Sequence, residues 1–150
     1  MRLLRPHPVH GLMLMNNNTA FIWVDGASRG NPGPASIAAV IKDTEGTTHA
    51  TISRAIGITT NNQAEYQAVI AAFEKAAALG ATSVKLHSDS ELVIKQITGK
   101  YRVKNTSLIP LHRKILDMAA RFTSFSAHHV PREQNREADA LANQAFDRLK

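Results

Sequence analysis

Short apolar runs separated by turn residues follow one another in the first third of the chain. Phe21-Ile22-Trp23-Val24 is a continuous apolar run, which is typical of a strand buried on both faces. A turn-rich segment through Asn31-Pro32-Gly33-Pro34 follows it, and residues 37–42 and 48–56 predict two further strands. Because the connections between these strands are short, the pattern predicts an antiparallel meander.

Apolar residues recur with helical spacing in the rest of the chain. Thr59-Thr60-Asn61-Asn62 offers N-cap residues for a first helix, which Gly80 ends. Residues 84–87 predict a fourth strand and residues 123–130 a fifth. The remaining helices are predicted over residues 91–97, 108–122 and 135–149.

This order of elements predicts an α/β fold. The sheet would have five strands and be mixed, with an antiparallel meander, parallel strands and helices flanking it. In such sheets, sites lie beyond the strand ends where the connection direction switches. If the first and fourth strands are parallel neighbours, Asp25 and Asp89 meet at the same edge of the sheet.

The amino-acid composition excludes several classes of protein function. The 150 residues suit one domain. The chain has no cysteine, which excludes disulfides, a cysteine nucleophile and thiolate metal sites. No apolar run approaches the roughly 20 residues of a membrane span, so we expect no membrane association. A net charge of +6 favours a negatively charged partner such as nucleic acid.

The first 19 residues differ in composition from the remainder, with two prolines, two histidines and three methionines. We interpret residues 1–19 as a flexible extension, or as the result of a start codon placed upstream of Met13 or Met15. Residues 20–150 are then the folded, catalytic domain.

Four of the twelve carboxylates occupy unusual positions. Asp25 and Asp89 directly follow predicted buried strands, Glu65 lies in the first turns of the first helix, and Asp139 borders the apolar stripe of the last helix. A carboxylate at the edge of a core is costly unless it is paired or binds a cation. No Lys or Arg stands nearby in sequence, so the four together predict a site for a hard divalent cation, magnesium or manganese.

Several motifs resemble those of type 1 ribonuclease H (ribonuclease HI), in family order. They are residues 24–33 (VDGASRGNPG), residues 60–65 (TNNQAE), Ser88-Asp89-Ser90, Lys104-Asn105 and residues 132–142 (REQNREADALA). The resemblance implies the ribonuclease H-like fold and endonucleolytic cleavage of the RNA strand of an RNA–DNA hybrid, leaving 5′-phosphate and 3′-hydroxyl ends. It implies that Asp25, Glu65, Asp89 and Asp139 are catalytic and bind two Mg²⁺ ions, for which Mn²⁺ can substitute.

Two metals flanking a phosphate can activate a water on one side and stabilise the leaving 3′-oxygen on the other. Asp25 would bridge both ions. Gly30 and Gly33 would let the backbone approach a sugar-phosphate chain, and neutral amides can recognise the 2′-hydroxyl that distinguishes RNA from DNA. The expected substrate-binding residues are Ser28, Gly30, Asn31, Thr60, Asn61, Asn62, Gln63 and Ser90.

One departure from the family concerns the loop before the last aspartate, where many members carry a histidine. Here the loop reads His128-His129-Val130-Pro131-Arg132, and Arg132 takes the equivalent place as an added catalytic residue. An arginine is no base near neutral pH, so its role would be to hold a phosphate or the leaving product. His129 remains the rival candidate.

A second departure is the missing basic protrusion that many bacterial members insert between the second and third helices. Gly99 to Asn105 runs straight on, so the chain resembles a short form of the family. Hybrid binding should then depend on Lys100, Arg102 and Lys104, unless these belong to an ordinary solvated loop.

Two other functions are consistent with the same fold. One is a hybrid-binding module without catalysis, against which the four retained acids argue. The other is a relative acting on DNA, against which the Asn-Pro-Gly and Thr-Asn-Asn-Gln segments argue, because they suit ribose recognition. The sequence leaves double-stranded RNA open as a further substrate, and we expect a cytoplasmic monomer.

Overall fold

The computed structural model describes residues 18–148. The first strand begins at Thr19, the last residue that the composition assigned to the extension. Residues 1–17, as well as Leu149 on the predicted last helix, lie outside the described residues. The division of the chain into an extension and a catalytic domain therefore stays a prediction.

The central sheet is mixed, as predicted. Its spatial order is β3-β2-β1-β4-β5, with β1, β2 and β3 antiparallel and β1, β4 and β5 parallel. The parallel pairing of β1 with β4 confirms that these strands are neighbours, which the predicted meeting of Asp25 and Asp89 required. The strands are β1 (Thr19–Ser28), β2 (Gly33–Lys42), β3 (Thr48–Thr59), β4 (Ser83–Ser88) and β5 (Ser124–His129).

Four helices flank this sheet, and a 3-10 turn at Arg132–Asn135 precedes the last of them. The first begins with a capping box: the Thr60 hydroxyl accepts a hydrogen bond from the Gln63 backbone, and the Gln63 side chain accepts one from the Thr60 backbone. The helices are α1 (Asn61–Ala78), α2 (Glu91–Ile97), α3 (Ile109–Ala119) and α4 (Arg136–Asp147). Within residues 18–148, no helix is both long and apolar enough to cross a membrane.

Helix α1 packs against the sheet and forms most of the core with it. Tyr66 and Phe73 are completely buried, and they lie with α3 over the inward side chains of β1 and β4. The Tyr66 hydroxyl donates to Gln96 Oε1 at 2.6 Å, which satisfies the one polar atom of this ring. This layer fixes the start of α1 against β1, where the candidate site lies.

The other face of the sheet is only partly covered, which corrects one prediction. Helix α4 packs mainly against β1, β2 and β3, and Ser36 donates to the Ala142 carbonyl at 2.8 Å across that contact. On β1, Ile22 and Val24 are buried on the α1 side, whereas Phe21 and Trp23 on the opposite side are half-buried. The expectation that the strand is buried on both faces is wrong, because an apolar run does not reveal where a covering helix ends.

The closest approach between β1 and α1 is at Gly26. A Cβ atom there would lie 2.3 Å from the Ala64 carbonyl carbon and 2.4 Å from the Glu65 nitrogen, both backbone atoms. Any side chain would therefore push α1 away from the strand.

We expect Gly26→Ala to lower the free energy of unfolding by about 3 kcal/mol, because backbone cannot yield as a flexible side chain does. Gly46→Ala is the matched control: its φ is +83° but nothing lies within 4 Å of the added Cβ. That variant should cost only about 1 kcal/mol. Urea unfolding of both variants measures the difference, and equal losses would contradict the close approach.

Candidate active site

Three carboxylates from three elements meet at one end of the sheet. Asp25 lies in β1, Asp89 directly follows β4, and Glu65 lies in α1. Ligand oxygens of all three lie within 4.8 Å of one another. The edge predicted from the strand order therefore brings these side chains together.

Asp139 reaches the same place from α4, on the other side of the sheet. It does not join the close group of three, but it helps to raise the pKa of Asp25, so the two carboxylates are near each other. Asp25 therefore lies between the acids of the α1 side and the acid of the α4 side. Its expected role as the bridging ligand stays a prediction.

Burial and mutual repulsion raise the pKa of two of these acids, Asp25 and Glu65. Burial, followed by repulsion from Asp89 and Asp139, raises the pKa of Asp25 to about 7, although the hydrogen bond from Gly26 acts in the opposite direction. Burial, followed by repulsion from Asp25 and Asp89, also raises the pKa of Glu65 well above its usual value. Within residues 18–148, no Lys or Arg forms an ion pair with any of the four acids. A bound cation would supply the missing positive charge.

Local geometry holds the acids in place. The backbone N–H of Gly26 donates to Glu65 Oε1 at 3.1 Å, so the close approach of α1 also orients that carboxylate. Ser88 Oγ accepts from the Ser90 backbone at 3.0 Å, which shapes the turn that carries Asp89. Ser90 Oγ caps α2 by accepting from Val93 at 3.3 Å, so this predicted substrate contact already has a structural partner.

Asn135 is a positioning residue that the sequence analysis did not single out. Its side chain is almost fully buried, and its Nδ2 donates to the Val24 carbonyl at 2.8 Å. That bond ties the residue before α4 to the residue before Asp25, and so sets Asp139 against Asp25. The available signal was an asparagine immediately before a helix in a segment of charged residues, which also suits an ordinary N-cap.

The predicted substrate loop lies beside the acids, and hydrogen bonds join it to the start of α1. Asn61 donates its backbone N–H to Asn31 Oδ1 at 2.9 Å, and its own Oδ1 accepts from the Ser28 backbone at 3.3 Å. Ser28 Oγ also donates to the Thr59 carbonyl at 3.0 Å. These bonds join the loop after β1 to the start of α1 and leave the Asn31 and Asn61 side chains at the surface.

Gly33 has a different role from the one expected. A Cβ atom there would lie 2.3 Å from the Arg29 carbonyl oxygen, so the loop itself requires glycine at this position. Close approach of a substrate backbone is not needed to explain it. Gly30, in contrast, is exposed and has a φ of +112°, which favours glycine on conformational grounds.

The predicted basic and auxiliary residues lie at the surface. Arg132 is exposed in the 3-10 turn, and within residues 18–148 its side chain forms no hydrogen bond or ion pair. His129 is exposed at the end of β5, where it acts electrostatically on Glu91. Lys100, Arg102 and Lys104 are exposed between α2 and α3, in a connection without a further helix. The basic protrusion is absent there, as predicted.

Comparison with known proteins identifies relatives along most of the chain. Residues 23–145 match a family described as reverse transcriptase-like. Ribonuclease HI of Halobacterium salinarum is 45% identical over 125 residues, covering 83% of this chain and 63% of the relative. Ribonuclease H of Anaplasma marginale is 35% identical, covering 91% and 96% respectively. A bifunctional protein of Mycobacterium tuberculosis is 42% identical, and the chain spans only 35% of its length.

Comparison with solved structures also identifies ribonucleases H as similar proteins. The crystal structure of RNase H1 from Halobacterium salinarum superposes with a TM-score of 0.84 at 43% identity, covering 86% of this chain and 98% of that one. LC11-RNase H1, crystallised in complex with an RNA/DNA hybrid, superposes with a TM-score of 0.82 at 41% identity, covering 87% and 98%. The predicted fold is therefore confirmed.

We expect Asp25→Asn to stabilise the metal-free protein while weakening its response to metal. The gain should be about 2 kcal/mol at pH 7, because the substitution removes a buried charge and its repulsion. It should shrink as the pH falls from about 7 towards about 4, where folded Asp25 already carries a proton and the ionised unfolded form becomes scarce. Thermal melts with and without MgCl₂ or MnCl₂ measure both effects.

Asp117→Asn, on the exposed side of α3, is the control and should change neither the Tm nor its dependence on metal. If Asp25→Asn retains the full metal-dependent rise in Tm, Asp25 is not a ligand.

Proposed function

The chain belongs to the ribonuclease H family, and we propose that it hydrolyses the RNA strand of RNA–DNA hybrids in a cation-dependent reaction. The products would carry 5′-phosphate and 3′-hydroxyl ends. One observation carries this proposal: the oxygens of Asp25, Glu65 and Asp89 lie within 4.8 Å of one another, with Asp139 near enough to raise the pKa of Asp25. A surface loop of amides lies beside them.

The donor set suits a hard divalent cation, because it consists of carboxylate oxygens without nitrogen or sulfur. We propose two Mg²⁺ ions held by Asp25, Glu65, Asp89 and Asp139, with Mn²⁺ as a substitute. Such ions lower the pKa of water and stabilise charge on a leaving oxygen. The raised pKa values of Asp25 and Glu65 fit this assignment, because a cation would favour the ionised carboxylates against the burial and the repulsion that raise those values.

The chain's own groups would orient the RNA strand. Asn31 and Asn61 present amides at the surface beside Asp25, and an amide can both donate to and accept from a 2′-hydroxyl. The bonds from the Asn61 N–H to Asn31 Oδ1 and from the Ser28 N–H to Asn61 Oδ1 hold the two segments at a fixed separation, which favours recognition of a defined strand path. Ser28 and Thr60 support this arrangement from beneath through their bonds to Thr59 and Gln63.

The charge of the chain supports a nucleic acid partner, since it has 18 Lys and Arg residues against 12 Asp and Glu. LC11-RNase H1, which resembles this chain along most of its length, has been crystallised with an RNA/DNA hybrid. We further propose that the protein acts as a monomer in the cytoplasm. Double-stranded RNA remains a possible second substrate that the assay below addresses.

Cleavage of a 5′-labelled RNA–DNA hybrid, beside RNA–RNA and DNA–DNA duplexes of the same sequence, tests this function. We expect cleavage of the RNA strand of the hybrid with MgCl₂ and none after chelation. Asp25→Asn should bind the hybrid without cutting it. Hybrid binding without cleavage by the wild-type protein would favour the non-catalytic module, and cleavage of the DNA duplex would favour the relative that acts on DNA.

We expect the triple variant Lys100→Ala, Arg102→Ala, Lys104→Ala to bind the hybrid more weakly and with less dependence on salt. Each phosphate contact contributes a slope of about one in log affinity against log salt, so the slope should fall by about two to three. Turnover at saturating hybrid should change little. Equilibrium binding of a fluorescent hybrid over a range of KCl concentrations, in EDTA, measures the slope.

A second triple variant removes equal charge elsewhere: Arg54→Ala, Lys75→Ala, Lys114→Ala, on exposed positions of β3, α1 and α3. It should retain the wild-type slope. If both triple variants lose the same slope, net charge explains the binding and the loop between α2 and α3 does not contact the hybrid.

We expect Arg132→Ala to slow turnover about tenfold and Arg132→Lys to recover part of the loss, because lysine keeps the charge without the bidentate fork. The pH profile should keep its shape in both variants, since no group that titrates near neutral pH has been removed. Turnover against pH on one hybrid provides the measurement. His129→Ala is the rival variant: a larger loss with a flattened pH profile would assign the auxiliary role to His129.

A further inference from the structure

An uncovered part of the sheet adjoins the active site on the α4 side. Phe21 and Trp23 of β1 lie there, half-buried, beside Lys85 and His87 of β4. Asp25 follows Trp23 by two residues and shares its face of the strand, so the two side chains leave the backbone about 7 Å apart. The surface is therefore continuous with the acidic site.

Trp23 heads a stack of rings that crosses the sheet. Its ring is stacked on His87, with centroids 4.6 Å apart and an angle of 11° between planes. His87 in turn stacks on His128 of β5 at 5.3 Å. Because β4 and β2 lie on opposite sides of β1, His87 covers one flat face of the indole and the other faces β2.

A cavity of about 250 Å³ lies against that second face, between β2 and the start of α4. Its walls include Trp23, Lys42, Gln134, Asn135 and Glu137. The ammonium of Lys42 lies 5.6 Å from the centre of the indole ring and 3.4 Å from Glu137 Oε1. The cavity thus combines a flat aromatic wall, two amides and the ion pair of Lys42 with Glu137.

Asn135 lines this cavity from its buried side. The residue is 1% exposed, and its Nδ2 donates to the Val24 carbonyl at 2.8 Å, so it holds the wall in place. Of the two amides, that of Gln134 is the exposed one, so Gln134 can donate to and accept from a bound molecule.

We propose that this cavity holds one unpaired nucleobase from a single-stranded tail of the hybrid. The base would stack on Trp23, extend the column of rings by one, and place its polar edge towards Gln134. Lys42 would contact the adjoining phosphate. The inference rests on the proposed function, since the hybrid in the active site delivers the tail, and it adds a preference for hybrids with unpaired ends.

Trp23 is the single tryptophan of the chain, so its fluorescence reports this site alone. The intact protein in EDTA is titrated with a blunt RNA–DNA hybrid and with the same hybrid carrying a short unpaired tail. Tails of RNA and of DNA, at the 5′ and the 3′ end, form separate arms and identify the source of the base. We expect at least one tail to quench Trp23 and to tighten binding about tenfold, because base–aromatic stacking commonly contributes that much. The blunt hybrid should not quench.

Lys42→Gln and Lys85→Gln form a matched pair on this face. Lys85 lies 5.7 Å from the Phe21 ring and outside the cavity walls. Lys42→Gln should remove about threefold or more of the affinity gained from the tail, whereas Lys85→Gln should retain it. Both variants should cleave the blunt hybrid as the wild-type protein does.

Two outcomes separate this inference from the function on which it rests. If the blunt hybrid is cleaved in MgCl₂ but no tail quenches Trp23 or tightens binding, the nucleobase site is wrong and the function stands. If the blunt hybrid is not cleaved, the proposed function is wrong. The nucleobase site is then tested separately: a free oligonucleotide with the sequence of the tail should quench Trp23, and the absence of quenching would overturn the site. Equal losses in the two lysine variants would also overturn the role of Lys42.

Discussion

The contact between β1 and the start of α1 is the constraint on which the rest of the site depends. Gly26 lets the two backbones approach to a distance that no side chain allows, and its N–H then holds Glu65 Oε1. The core beneath, where Tyr66 and Phe73 pack on the sheet, keeps α1 at that distance. Two carboxylates thereby come together in a place where each alone would be costly.

The rest of the fold supplies acids from two other directions. The parallel pairing of β1 and β4 brings Asp89 to the same edge, while Asn135 anchors α4 so that Asp139 meets Asp25. Burial and repulsion, which together raise the pKa of Asp25 to about 7, are the cost of this arrangement. A cation bound among these carboxylates would offset that cost and hold the ligands in place before the substrate arrives.

The open side of the sheet follows from the same architecture. Helix α4 must reach Asp25 with its first turn, so it lies over β1, β2 and β3 and leaves the ring stack of Trp23, His87 and His128 uncovered. The apolar run of β1 therefore has two structural roles. Ile22 and Val24 complete the core, and Trp23 lines a cavity beside the acids.

The sequence by itself determined the order and type of the elements and the mixed sheet, because hydrophobic period, turn residues and motif spacing are local properties of the chain. It also singled out four acids, three of which, Asp25, Glu65 and Asp89, come together in the structure. It did not determine which polar side chains have structural roles rather than roles in substrate binding. Gln63 and Ser90 match the family's substrate motifs, yet their oxygens cap α1 and α2, and Gly33 is required by the Arg29 carbonyl. Only the tertiary structure decided that Phe21 and Trp23 stay half-buried and that Asn135 joins α4 to β1. The physical reason is that each of these features depends on where an element distant in sequence ends. A pattern within a few residues carries no information about that position.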